Sequence, residues 1–136
     1  MSRSGYSDDY DNVELYRAAV DRATFGKRGQ SFMWKLGDAL DAMPVKALIT
    51  GEIANSAGEV CALGAVDPIT TIDPEDPTEV GKHFNIARSL AAEIVYENDE
   101  GNYSRPETPE ERWIRMRAWV AKQIGPKDQD VSLNAG

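Results

Sequence analysis

Apolar side chains recur along this chain mostly at helical spacing, and the recurrence predicts four helices. After Asn12, which can cap, Val13, Tyr16, Val20 and Ala23 share a stripe that Thr24-Phe25-Gly26 ends. A second stripe, Phe32, Leu36, Leu40 and Met43, predicts a helix from about Gln30 to Met43, stopped by Pro44. The third helix starts at Asp76-Pro77-Thr78-Glu79, an acidic cap with proline in the first helical position. Val80, Phe84, Ala87, Ala91 and Ile94 then point inward to about Tyr96, and Asn85, which tolerates the left-handed conformation, is a possible break. Thr108-Pro109-Glu110-Glu111 is a capping box that opens the fourth helix, with Trp113, Met116, Val120 and Ile124 at core spacing.

The pattern changes between the second and third helices. Ala47–Ile53 and Glu59–Val66 flank Ala54–Gly58, a loop-like stretch, and the β-branched residues among them predict a small hairpin. Cys61-Ala62-Leu63-Gly64-Ala65 fits the start of a short buried helix equally well, so the second arm of the hairpin either stays extended or turns helical. Asp67–Pro77, with three prolines among acidic residues, reads as an extended connector. The fold expected is mainly α (α+β), about four helices with one small β-hairpin. Residues 12–125 form a single globular domain, and residues 1–11 and 126–136 are flexible tails.

Composition narrows the possible chemistry. With one cysteine and one histidine among 136 residues, an intramolecular disulfide and a four-ligand structural zinc site are both excluded. No apolar run approaches the roughly 20 residues that span a bilayer, and the first residues are polar, unlike a secretory signal. A cytoplasmic, reducing location is expected, with no membrane partner and no cofactor. The formal charge of −8 opposes direct binding to phosphate backbones and suits a basic protein partner.

Three sets of residues bear on chemistry. A nucleophilic Cys61 needs a base, and His83 is the sole histidine, with Glu97, Asn98 or Asp99 as a third member. The small apolar neighbours Val60, Ala62 and Leu63 favour a core role for this cysteine instead. Glu93, Glu97 and Asp99 offer oxygen ligands for a hard cation, but the run fits no EF-hand spacing, and Asn98, Asp99 and Gly101 are suited to ending a helix. The basic residues fall into two groups: Arg22, Lys27 and Arg28 at the first interhelical link, and Arg112, Arg115, Arg117 and Lys122 on the last helix. Basic residues near Trp34 and Trp119 suit nucleic acid or a phosphate, but a solvated face, or pairing of the last-helix arginines with the acidic connectors, accounts for them more simply.

Glu59-Val-Cys-Ala-Leu-Gly-Ala65, Glu93-Ile-Val-Tyr-Glu-Asn-Asp99 and Thr108-Pro-Glu-Glu-Arg112, taken in order, resemble small proteins encoded by phages and prophages of proteobacteria. In looser form the pattern is similar to a bacterial domain of unknown function. The resemblance spans roughly residues 13–124 and implies a phage accessory protein acting in a bacterial host cell. The function expected is therefore non-enzymatic binding of a host or phage protein. One form of it is inhibition of a bacterial defence complex, such as a nucleic-acid-binding one, through an acidic surface. Asp73, Glu75, Asp76, Glu97, Asp99 and Glu100 are the expected partner-binding residues. A small cysteine-dependent enzyme using Cys61 and His83, or a divalent-cation or ligand-binding domain using Glu93, Glu97 and Asp99, are the alternatives.

Overall fold

A computed structural model describes residues 6–101 and 105–125. Among these residues the chain forms α1 (Tyr6–Phe25), α2 (Lys27–Ala42), α3 (Ala62–Val66), α4 (Pro77–Phe84), α5 (Arg88–Glu100) and α6 (Pro109–Gln123). The class is mainly α, with six helices where four were expected. One addition is α3, which starts where the second hairpin arm turns helical. The other comes from the third predicted helix, which divides at Asn85, a left-handed residue with φ 60° and ψ 48° that closes α4. The hairpin reduces to one antiparallel bridge between Ala54 and Val60 among the described residues. Asn55 explains why the arms stop there: its side-chain oxygen accepts from the Ala57 and Glu59 N–H groups, tying a tight loop in place of a ladder.

The start of α1 also differs from expectation. The helix begins at Tyr6, so residues 6–11 of the segment assigned to the N-terminal tail are helical. Residues 1–5 and 126–136 lie outside the described residues. Val13 and Tyr16 were placed on the core stripe, yet they are 58% and 39% exposed, whereas Val20 on the same stripe is buried. From Val13 onward the buried residues of α1, Val20 and Thr24, lie toward its C-terminal end. A single residue, Gly26, joins α1 to α2, and Gly29 lies so close to α1 that a Cβ there would meet the Ala23 carbonyl oxygen at 1.8 Å.

The two central helices are α2 and α5. α2 packs against α1, α3 and α6, and α5 against α1, α3, α4 and α6. Leu36 and Leu40 of α2, Leu63 of α3, Val80 of α4, Leu90 and Ile94 of α5, and Met116 and Val120 of α6 are all fully buried in one cluster. Each such aliphatic side chain contributes about 1.5–3 kcal/mol by leaving water. The caps read from the sequence are present: the Asp76 carboxylate accepts from the Glu79 N–H at 3.3 Å, and Thr108 and Glu111 form the reciprocal capping box. At the other end of α2, the Trp113 indole N–H and the Lys46 ammonium donate to the carbonyls of Leu40 and Asp41, satisfying acceptors the helix leaves open.

Candidate functional site

The acidic connector and the end of α5 meet in a groove of about 300 Å³, lined by Pro74, Glu75, Pro77, Ala92, Val95, Tyr96, Asp99 and Glu100. Helical periodicity explains the α5 side, because residues 92, 95, 96 and 99 stand at i, i+3, i+4 and i+7. Ala92 and Val95 are apolar, Tyr96 is 39% exposed, and Glu75, Asp99 and Glu100 line the same groove. Asp99 is oriented by two contacts: Asn98 Nδ2 donates to its Oδ1 at 2.8 Å and the Gly51 N–H reaches Oδ2 at 3.4 Å. On the connector side, Asp73 accepts from the Glu75 N–H at 2.9 Å, an Asx turn that presents Glu75.

The six expected partner-binding residues therefore divide. Glu75, Asp99 and Glu100 share the groove. Asp73 lines an adjoining cleft of about 690 Å³, formed with the loop around Ile53–Ser56 and sharing Pro74 with the groove. Asp76 serves as the α4 cap. Glu97 lies elsewhere on α5, in the field of Glu93, Arg115 and Arg17, and burial, followed by the charge of Glu93, raises its pKa above the usual carboxylate value.

Glu97 and Asp99 separate because α5 continues through Glu100 instead of turning at Asn98. Residues two positions apart on a helix differ by about 200° in direction, so Asp99 cannot join Glu93 and Glu97 around one cation. Glu93 is already engaged: it is buried, Arg17 Nη1 lies 3.1 Å from its Oε2, and the Tyr16 hydroxyl donates to its Oε1 at 3.5 Å. Burial, and then the Glu93 charge, raises the Tyr16 pKa. Among the described residues no group of three His, Cys, Asp or Glu side chains is placed to hold a metal ion.

Cys61 and His83 are separated by α3. Cys61 is the N-cap of that helix and Asp67 its C-cap, about 9 Å apart at a helical rise of about 1.5 Å per residue. His83 Nε2 is bonded to Asp67 Oδ2 at 2.8 Å, and its ring packs edge-on against Phe84. The cysteine is buried, and burial pushes its thiol up to about 11, although the backbone N–H groups of Gly64 and Leu63 partly oppose this. A thiol so placed stays protonated at neutral pH and is a poor nucleophile.

Two polar clusters were missed by the sequence reading. Asn98, read as a turn former, is only 1% exposed; its Oδ1 accepts from the Ala62 N–H at 3.1 Å and its Nδ2 donates to the Ile49 carbonyl at 2.9 Å. It thereby fixes the 49–62 segment and α3 to α5, and its neighbour Asp99 to the groove. The second is Glu107, with a side chain 6% exposed, between Arg112 (Nε to Oε1, 3.2 Å) and Arg115 (Nη2 to Oε1, 2.7 Å). Arg115 also donates to the Glu97 and Asn98 carbonyls at 2.6 and 3.2 Å, placing a cation on the C-terminus of α5. Arg117 pairs with Asp41 at 2.7 Å, and its hydrogen bonds, with a smaller contribution from its charge, hold the Asp41 carboxyl below the usual range. The arginines of α6 are thus paired, with Glu107 of the segment before α6 and with Asp41 of α2 rather than with a connector throughout. Glu107 gave one signal, its position just before a capping box, but pairing across a turn has no fixed spacing.

No described helix is long and apolar enough to cross a membrane. No family model, curated protein or solved structure matches the chain.

Proposed function

We propose that this chain is a non-enzymatic accessory protein that binds a basic segment of a protein partner in the groove between the acidic connector and α5. The reading rests on one observation: Glu75, Asp99 and Glu100 line one groove with the exposed Tyr96 and the apolar side chains of Ala92 and Val95. An aromatic ring in one groove with carboxylates suits Lys or Arg, which can lay an aliphatic stem on the apolar side chains and bring a cation to both the ring and the acids. The formal charge of −8 adds long-range attraction for a basic partner. The resemblance to phage-encoded proteins supplies a setting, a bacterial cell in which the partner belongs to a nucleic-acid-binding or defence complex. The burial of Cys61 and the separation of Asp99 from Glu93 and Glu97 favour this reading over the thiol enzyme and the cation site.

Affinity capture from a bacterial lysate with the intact chain, and with a Glu75→Lys/Glu100→Lys variant, tests the proposal. Both side chains are exposed and the variant should remain folded. The intact chain is expected to retain a stoichiometric partner in a salt-sensitive manner, and the variant to lose it. Equal recovery by both proteins, or no partner with either, refutes the proposal.

A further inference from the structure

A second groove has the opposite charge. Lys27, Arg28, Ser31, Phe32 and Lys35 of α2, with Phe84 and Asn85 at the end of α4, line a cavity of about 330 Å³. We propose that this groove binds a phosphate-bearing ligand.

The argument begins with which cations are already neutralised. Arg17, Lys82, Arg105, Arg112, Arg115 and Arg117 each have a carboxylate within ion-pair distance. Among the described residues seven cations have none, Arg22, Lys27, Arg28, Lys35, Lys46, Arg88 and Lys122, and three of these, Lys27, Arg28 and Lys35, share this groove in a chain with 23 acidic side chains against 15 basic ones. The acidic residues of α2, Asp38 and Asp41, both act on Arg117 at the α6 contact. Like charges concentrated on one stretch of helix repel one another, and an anion in the groove removes that repulsion.

Spacing and chemistry then select the anion. Arg28, Ser31 and Lys35 stand at i, i+3 and i+7, and Lys27, Ser31 and Lys35 at i, i+4 and i+8, so their side chains converge over the same cavity. Arg28 is steered there by Asn85, whose Oδ1 accepts from Nη1 at 3.4 Å and whose left-handed backbone turns it toward α2. Three cations and a hydroxyl donor exceed what one carboxylate can use. A phosphate monoester brings a charge of about −1.5 to −2 and three acceptor oxygens to the same volume. A long nucleic acid fits less well: Phe32 and Phe84 are buried at 5% and 9% exposure, leaving no ring for a base to stack on, and the overall charge opposes a polyanion.

Calorimetric titration of the full chain with pyrophosphate at low ionic strength tests the site. Saturable binding is expected, weakened about tenfold or more by Arg28→Ala and several-fold by Lys35→Ala, as for lost charge-assisted bonds. Lys122→Ala, an exposed lysine of α6, should leave the affinity within about twofold. Absence of saturable binding, or an equal loss in Lys122→Ala, overturns the proposal. Competition by a phosphoserine peptide distinguishes the source of the phosphate: tighter binding of the peptide places it on a modified protein, weaker binding on a small molecule. The residues differ from those of the acidic groove, so either proposal can fail alone.

Discussion

Asn98→Ala is the most informative single perturbation, because one buried amide joins three parts of the molecule. The substitution leaves the Ala62 N–H without its acceptor inside a residue that has no exposed surface. An orphaned buried donor costs about 1–3 kcal/mol, and the lost bond to the half-buried Ile49 carbonyl adds about 0.5–1.5 kcal/mol. Together these predict a loss of about 1.5–4.5 kcal/mol, a large part of the 5–15 kcal/mol typical of a whole domain. Urea denaturation followed by far-UV circular dichroism measures the change. Asn98→Asp sharpens the test. Its carboxylate can still accept from Ala62, but it turns an acceptor toward the Ile49 carbonyl and adds a charge beside Asp99. Burial and the neighbouring carboxylate raise the folded-state pKa of the introduced group above its unfolded value of about 3.9. The folded state then binds more protons than the unfolded one, so stability falls as pH rises and recovers as the group protonates. A loss below about 1 kcal/mol for Asn98→Ala, or a pH-independent loss for Asn98→Asp, would show that this amide does not join the elements.

Two further outcomes follow from the structure. Cys61 should resist a thiol reagent at neutral pH in the folded protein and react readily in denaturant, since burial holds its pKa near 11; rapid labelling of the folded chain would restore the nucleophile reading. Thr108→Ala removes the acceptor for the Glu111 N–H and should lower stability by about 1 kcal/mol in thermal or urea unfolding, with no effect on the groove.

Local signals in this chain translated directly into structure. Asp76-Pro77 and Thr108-Pro109 start helices because a side-chain acceptor and a preset φ act within one turn, whatever lies beyond it. Asn85 breaks a helix for an equally local reason, its tolerance of the left-handed conformation. The stripe in α2 became core because both its period and its burial run the length of the helix. In α1 the same kind of stripe failed at Val13 and Tyr16, since periodicity identifies an apolar face but not whether a neighbour extends far enough to cover it.

The acidic surface was legible only in part. Its residues stand in two short runs, and the sequence alone grouped Glu97 with Asp99 and Glu100 as neighbours in one acidic run. Packing decided otherwise. A buried Asn98 bonded to Ala62 and Ile49, with Arg115 on the Glu97 and Asn98 carbonyls, supports the final turn of α5 and points Glu97 and Asp99 in different directions. Composition and local pattern by themselves determined a mainly helical chain, its caps, its breaks and an acidic balance. Tertiary structure alone decided which charges meet, because the partners of Asn98, Glu107 and Arg117 come from distant segments whose approach no local spacing encodes.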